Sequence, residues 1–210
     1  MRLDPLPDAV GPAAPVAPQP IRVVIGLGNP GPRYDGTRHN IGFDAVAALL
    51  DGRDGRRRHF DGGVLTDVEL HGRDISLFFP TLYMNRSGGP VRRLLGSNAV
   101  PPEAALVVCD DIALPLGSIR IRRRGSDGGH NGLSSIFGAL GTRDVPRMRL
   151  GVGSPPSARE QSDYVLDRFA PDETEVATDL VTRAALAIEC VVSDGLDAAM
   201  NRFNRTATAG

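Results

Sequence analysis

One short loop carries most of the side chains in this chain that could do acid–base chemistry. It contains an amide, a cation, an imidazole and a second amide, at Asn29, Arg38, His39 and Asn40. The loop follows an apolar run, residues 21–27, that is typical of a buried strand, and its glycines and prolines oppose a helix. Because open α/β sheets bind ligands beyond the carboxyl ends of their strands, this loop is a candidate wall of an active site.

A carboxylate that could orient the imidazole ends a second buried run. Asp110 and Asp111 directly follow the apolar residues 104–109. If the two strands are neighbours, a carboxylate and His39 meet at one edge of the sheet, where an Asp–His pair fixes the imidazole tautomer and supports a general base near neutral pH. We expect Asp110 to be the partner. Asp111 is its rival for this role, and the alternative is that both aspartates simply face solvent.

Water is the nucleophile that this set of residues favours. The chain has no G-x-S-x-G sequence, which would indicate an activated serine. Cys109 precedes two aspartates, whose charges disfavour a thiolate. Metal assistance is the alternative, since His39, His130 and Asp110 could converge, but their spacing matches no metal-binding signature. We therefore expect water activated by the His–Asp pair, with no metal.

The glycines of the loop match a dinucleotide-binding pattern without the context that this pattern needs. Residues 26–31 read G-L-G-N-P-G and follow a strand, as the G-x-G-x-x-G fingerprint does. The fingerprint also needs a helix that begins at the loop, so that its N-terminus faces pyrophosphate. Pro30, Pro32 and Gly36 oppose such a helix. The sequence therefore predicts no nucleotide cofactor.

Three asparagines lie in glycine-flanked loops, in the sequences GNPG, MNRSGG and HNG. They are Asn29, Asn85 and Asn131. Asparagine is common in turns because it tolerates left-handed backbone geometry. Three such residues beside candidate catalytic loops favour a second interpretation, in which neutral amides hold substrate carbonyls or a developing oxyanion.

Arginines alternate with apolar residues along one predicted strand. Arg120, Arg122 and Arg124 share a face of this strand, and Arg147 and Arg149 add cations downstream. Most charge runs are solvated faces, but this alternation suggests a bidentate phosphate clamp. The net charge is only −1, although all 24 cationic side chains are Arg. The pattern therefore indicates a local basic surface and not a general polyanion binder.

Short apolar runs alternate along the chain with segments of helical periodicity. We predict strands near residues 21–27, 64–70, 73–79, 104–109, 118–124 and 147–153, and helices near residues 41–50, 87–95, 133–140, 172–192 and 196–203. Residues 53–59 are predicted to form a charged connector, and residues 125–132 a flexible loop. Interleaved strands and helices favour an α/β fold with three layers.

Length and composition favour one domain. With 210 residues and 41% hydrophobic composition, the chain is long enough to bury a sizeable core. We expect the Pro-rich residues 1–20 to be a disordered leader, residues 21–205 the catalytic domain and residues 206–210 a tail. Cys109 and Cys190 lie far apart without C-x-x-C spacing, which favours a reducing, cytoplasmic location. No apolar run approaches the length of a membrane span.

Together these residues resemble the bacterial-type peptidyl-tRNA hydrolase family. The matching stretches are VVIGLGNPGPRYDGTRHNIGFDAV, YMNRSGGPV, VVCDDIALPLGSIRIRRRGSDGGHNGLSSI, RMRLGVGSP and YVLDRF. They span most of residues 21–203 in the order and spacing of the family.

The resemblance implies a monomeric, single-domain α/β/α sandwich around a mixed, mostly parallel twisted sheet. It implies hydrolysis, without metal or cofactor, of the ester that joins a peptide to the 3′ end of tRNA. The catalytic residues of the family fall on His39, Asp110 and Asn29. Residues that bind the substrate fall on Tyr34, Tyr83, Asn85 and Asn131. The basic clamp for the tRNA 5′ phosphate falls on Arg122 and Arg149, with Arg120 nearby.

Two other function classes stay open at this point. A tRNA- or ribosome-binding protein without catalysis would keep the same fold and the same basic surface. A nucleotide-dependent oxidoreductase is the third hypothesis, and the prolines of the first loop oppose it. The leading expectation is a cytoplasmic enzyme whose partner is peptidyl-tRNA and which contacts no membrane.

Overall fold

The structure, a computed structural model, describes residues 19–155 and 161–204. The expected tail and all but two residues of the expected leader lie outside these ranges. The described strands are β1 (Val23–Gly26), β2 (Arg56–Phe60), β3 (Gly63–Leu70), β4 (Arg73–Pro80), β5 (Ala105–Asp111), β6 (Ile119–Arg122) and β7 (Arg147–Gly151). The described helices are α1 (Ile41–Ala47), α2 (Gly88–Ser97), α3 (Asn131–Leu140), α4 (Gln161–Leu166), α5 (Thr174–Ser193) and α6 (Leu196–Phe203).

The strands form one mixed sheet in the order β2-β3-β4-β1-β5-β7-β6. The four central strands β4, β1, β5 and β7 run parallel to one another. Antiparallel pairing occurs towards the edges, where β2, β3 and β4 form a meander and β6 pairs with β7. The predicted α/β fold with a mixed sheet is confirmed. Because β1 and β5 are parallel neighbours, their carboxyl ends meet at one edge of the sheet.

Helices cover both faces of the sheet because successive side chains of a strand point to opposite faces. On one face, Val24 belongs to a buried cluster with apolar residues of α1, α5 and α6. On the other face, Val23 and Ile25 belong to a cluster with apolar residues of α2 and α3. β1 is buried along its whole length and β5 along almost all of it. The two strands that end at the site are therefore held firmly from both sides.

Glycines near the first loop let α1 lie close to the sheet. A Cβ atom on Gly42 would come within 2.4 Å of the carbonyl oxygen of Val108, and one on Gly28 within 2.6 Å of the Phe43 ring. The chain reaches α1 through two 3₁₀ turns, and the helix begins only at Ile41. The glycine pattern thus serves packing, and no helix begins at this loop as a dinucleotide site requires.

The structure corrects three local predictions. Residues 56–59 of the predicted connector form β2 together with Phe60, because the exposed charged side chains of this segment concealed its backbone pairing with β3. β6 ends at Arg122, so Arg124 lies beyond the strand whose alternation included it. Helix α4 was not predicted, since six residues are too few to show a helical period.

The longest described helix, α5, has 20 residues and buries one face against the sheet. It begins within two residues of the predicted start. Across residues 19–155 and 161–204, no helix is both long enough and apolar enough to cross a membrane.

Candidate active site

A cavity of about 560 Å³ opens where β1 and β5 end. It is lined by seven of the predicted site residues: Asn29, His39, Tyr83, Asn85, Asp110, Asn131 and Arg149. Part of another wall comes from α4, which contributes Gln161, Ser162, Val165 and Leu166. Tyr34, Arg120 and Arg122 lie outside this lining.

The predicted imidazole and carboxylate are in contact. Nδ1 of His39 lies 2.7 Å from Oδ1 of Asp110, and both residues are buried. Asp110 is the sixth residue of β5, while a 3₁₀ turn at Arg38–Asn40 carries His39. Asp111 instead forms an ion pair with Arg149. Asp110, and not its rival, is therefore the partner of His39.

A second histidine binds the same carboxylate oxygen. Nε2 of His130 lies 3.0 Å from Oδ1 of Asp110. Nδ1 of His130 accepts the backbone N–H groups of Gly132 and Leu133, at 3.1 and 3.3 Å, where α3 begins. An acceptor nitrogen carries no proton, so these contacts assign the ring proton of His130 to Nε2, which donates to Asp110.

Asp110 is an anion that both imidazoles stabilise. Burial acts to raise the pKa of this carboxyl group, but its hydrogen-bonded contacts with His130 and His39 outweigh that effect. The pKa of Asp110 therefore lies well below its usual range. An ionised Asp110 accepts the Nδ1–H of His39, which leaves Nε2 of His39 as the basic nitrogen.

The same three residues do not suit a metal ion, although their geometry brings them together. His39, Asp110 and His130 can each place one ligand atom within 4.8 Å of the others. A neutral imidazole has one lone pair available, and that of His130 already accepts two backbone N–H groups. The nitrogen that faces Asp110 carries the proton and cannot bind a metal. The donor set fits a hydrogen-bonded trio.

Asn29 is held so that its amide N–H₂ group is available to the cavity. Its Oδ1 accepts the backbone N–H of Met84 at 2.9 Å, which identifies Nδ2 as the other terminal atom. The side chain of Asn40 holds the Asn29 backbone from both sides, by accepting its N–H at 2.8 Å and donating to its carbonyl at 3.0 Å. Within the described ranges, Nδ2 of Asn29 has no hydrogen-bond partner. It can therefore donate to a bound group.

Of the remaining predicted substrate residues, Tyr83, Asn85 and Asn131 line the cavity and Tyr34 contacts Tyr83. Asn85 lies in the 3₁₀ turn before α2, and Asn131 is the first residue of α3. The rings of Tyr34 and Tyr83 meet edge to face with centroids 6.3 Å apart. Tyr83 is 56% exposed, an unusual exposure for a large ring. The two tyrosines form an aromatic rim beside the polar cavity.

Arginines of the predicted phosphate clamp lie on two paired strands. Arg120 lies opposite Arg149, and Arg122 opposite Arg147, in the antiparallel pairing of β6 with β7. Opposite residues share a face, so these side chains leave the same side of the sheet. Arg147 is 1% exposed, donates to the Gly125 carbonyl and stacks on an aromatic ring of α3. Arg147 therefore supports the interior of the protein. The sequence analysis counted it with the basic surface, and that prediction is wrong.

Cys109 has no nucleophilic character. It is fully buried in β5 on the face opposite Asp110. Burial raises the pKa of its thiol, and the charges of Asp110 and Asp111 raise it further. A neutral buried thiol is inert, as the sequence predicted.

The sequence does not predict the contacts that two residues make in this site. His130 was considered only as a metal ligand, and Asn40 only as a polar member of its loop. Both loops of the site carry a His-Asn pair, at residues 39–40 and 130–131. This repetition is the sequence signal that could have identified them.

Comparisons with known proteins show which family the chain resembles. The family profile described as peptidyl-tRNA hydrolase matches residues 23–209. The peptidyl-tRNA hydrolase of Chloroflexus aggregans is 44% identical over 185 residues, which cover 87% of this chain and 98% of the relative. That of Nocardia farcinica is 43% identical, covering 87% and 95%. The crystal structure of the peptidyl-tRNA hydrolase from Acinetobacter baumannii superposes with a TM-score of 0.83 at 33% identity, over 88% of this chain and 94% of that one.

Proposed function

The chain belongs to the peptidyl-tRNA hydrolase family and hydrolyses peptidyl-tRNA, and we propose that it does so with water activated by the His39–Asp110 pair. The observation that carries this proposal is the 2.7 Å contact between the two side chains at the edge of the cavity. The contact leaves Nε2 of His39 as a base.

The reaction follows from the positions of these groups. Nε2 of His39 takes a proton from water as the water oxygen attacks the ester carbonyl carbon. Nδ2 of Asn29 donates to the oxyanion that develops on the carbonyl oxygen. When the ester C–O bond breaks, His39 returns the proton to the 3′ oxygen of tRNA. The products are a peptide with a free carboxyl group and tRNA with a free 3′ hydroxyl.

The other site residues bind the two halves of the substrate. Asn85 and Asn131 hold polar groups of the peptide and the terminal nucleotide without adding charge to the cavity. Tyr34 and Tyr83 offer ring faces and edges at its rim. Arg120, Arg122 and Arg149 bind a tRNA phosphate, since guanidinium groups bind phosphate oxygens in pairs.

Three further properties belong to the proposal. The enzyme needs no metal, because the proton on His130 makes the trio a poor metal site. It acts as a monomer, as its resemblance to the family implies. It acts in the cytoplasm, because both cysteines are free and buried, as in a reducing compartment.

Replacing Asp110 with asparagine tests the His–Asp pair. The amide oxygen of the introduced side chain can still accept from both imidazoles, so the change removes the charge with little change in shape. We expect turnover to fall about tenfold, the difference between a charge-assisted and a neutral hydrogen bond. Without the carboxylate the imidazolium is less favoured, so the acid limb of the pH–rate profile moves to lower pH.

Release of free tRNA from peptidyl-tRNA, followed across pH, measures both effects. Asp111→Asn is the matched control and should leave the acid limb in place, because Asp111 contacts Arg149 and not His39. An unchanged profile for Asp110→Asn would contradict the pair.

Arg122→Gln and Arg149→Gln test the phosphate clamp. Each change removes a charged donor, and a lost charge-assisted contact weakens binding about tenfold or more. We expect the KM for peptidyl-tRNA to rise by this factor, while hydrolysis of a minimal N-acyl-aminoacyl ester without tRNA is unaffected. Arg57→Gln, an exposed change on β2 at the opposite edge of the sheet, is the control. Equal losses on both substrates would count against a clamp.

A further inference from the structure

Arg38 is a buried cation that the mechanism above does not use, although it immediately precedes His39. Its side chain is 7% exposed. Nη2 donates to Oε2 of Glu173 at 2.6 Å, and Nη1 donates to the carbonyl of Val152 at 3.3 Å. The hydrogen bond from Arg38 is the largest influence on Glu173 and holds the pKa of that carboxyl below its usual value. The pair is therefore ionised at neutral pH.

Two aromatic rings enclose the same guanidinium group. Its carbon lies 4.3 Å from the ring centroid of Tyr164 and 4.8 Å from that of Phe169. Both distances are within the range of cation–π attraction. Tyr164 also donates its hydroxyl to the carbonyl of Val152 at 3.0 Å. Arg38 and Tyr164 thus meet at one backbone oxygen, just beyond the end of β7.

Backbone contacts also join the His39 loop to the region of α4. The N–H of Arg38 donates to the carbonyl of Asp167 at 3.0 Å, and Thr37 forms an isolated β-bridge with Arg168. The loop that carries His39 is therefore joined directly to the segment that follows α4. Tyr164 lies within α4, and its neighbours Val165 and Leu166 line the catalytic cavity.

We infer that Arg38 is a positioning residue that holds α4 against the His39 loop and so fixes one wall of the substrate cavity. The inference rests on the function proposed above. Arginine suits this place because a planar guanidinium can bind a carboxylate, a carbonyl and two ring faces at once, which lysine cannot. The contacts of His39 with Asp110, and of Asn40 with Asn29, do not involve the Arg38 side chain.

Arg38→Met is the principal test, because methionine fits between two rings without a charge or a donor. In this variant α4 is held less firmly, while His39 is unchanged. We therefore expect the KM for peptidyl-tRNA to rise about tenfold, the effect of losing desolvated cation–π and ionic contacts. The kcat should change by less than about twofold, because the groups that act in the transition state are still in place. The KM of Arg38→Lys should lie between that of Arg38→Met and that of the wild type.

Hydrogen exchange supplies a readout that does not depend on activity. In Arg38→Met, amides of residues 161–169 should exchange faster, while those of β1 and β5 should keep their protection. Arg53→Met is the matched control, since it removes an exposed Arg–Glu pair with Glu189 away from the cavity. It should change neither the KM nor the exchange of α4.

Variants of Tyr164 test the connection from its other side. Tyr164→Phe keeps the ring and should have a small effect. Tyr164→Leu should reproduce the rise in KM, and adding it to Arg38→Met should raise the KM little further, because both changes break one contact. Full additivity would contradict the inference.

Failure of this inference is distinct from failure of the mechanism. If Arg38→Met and Tyr164→Leu leave the KM and the exchange of α4 unchanged while His39→Ala is inactive, Arg38 does not position the wall. An equal fall of kcat in Arg38→Met and Arg38→Lys, with no change in KM, would also overturn it. If His39→Ala is active, the mechanism fails, and the exchange measurement still decides the role of Arg38.

Discussion

Replacing His39 with alanine is expected to lower the turnover of peptidyl-tRNA about 10²–10⁴-fold, the usual contribution of a general base. His39 is the imidazole whose Nε2 has no hydrogen-bond partner among residues 19–155 and 161–204, while its Nδ1 is bonded to Asp110. His130 cannot act as the base in its place. Its Nδ1 already accepts two backbone N–H groups, and its Nε2 carries the proton that is donated to Asp110. The measurement is kcat, from the release of free tRNA at saturating substrate.

The control for this variant is His59→Ala, which removes an exposed histidine on β2 and should leave kcat unchanged. Binding of uncleaved peptidyl-tRNA should be retained by His39→Ala, because the asparagines and arginines of the site are intact. Near-normal turnover in His39→Ala would show that another group activates water.

Replacing Asn29 with aspartate is expected to lower kcat about 10²–10³-fold, the cost of removing one oxyanion donor. Aspartate has the same shape and can still accept the Met84 N–H, so the loop is preserved. The donor Nδ2 becomes an oxygen that shares a negative charge, which repels the developing oxyanion. The loss should therefore appear in kcat, with a smaller change in KM.

Asn98→Asp is a suitable control, because it adds the same charge at an exposed residue after α2. It should leave both kinetic constants unchanged. A pure rise in KM for Asn29→Asp would mean that Asn29 binds the ground state and does not stabilise the oxyanion.

The central contact of the site was predictable from the sequence because it depends on which strands are neighbours and on the loop that follows β1. His39 follows one buried apolar run and Asp110 ends another, and parallel neighbours bring such ends together. The sharing of a face by Arg120 and Arg122 follows from an equally local pattern. In each case the informative signal is the residue type at the end of a strand or its alternation along one.

Other features depend on contacts between distant segments, which the sequence pattern does not encode. Arg147 belongs to an alternating run of arginines, yet it is buried over an aromatic ring of α3. The glycines around His130 predict a flexible loop. In the structure, a backbone N–H at the start of α3 donates to its Nδ1 and fixes the tautomer of the ring. The exposed strand β2 resembles a charged linker because its stability comes from pairing with β3 and not from burial.

The single-turnover rate of tRNA release, measured from about pH 5 to about pH 9 for the wild type and for His39→Ala, tests the central claim most directly. Single-turnover conditions isolate hydrolysis from product release. We predict that the wild-type rate rises with pH through one ionisation and then levels, and that the slower His39→Ala rate lacks this limb. A His39→Ala profile with the same limb and a similar rate would contradict the account, because the titrating base would then be another group.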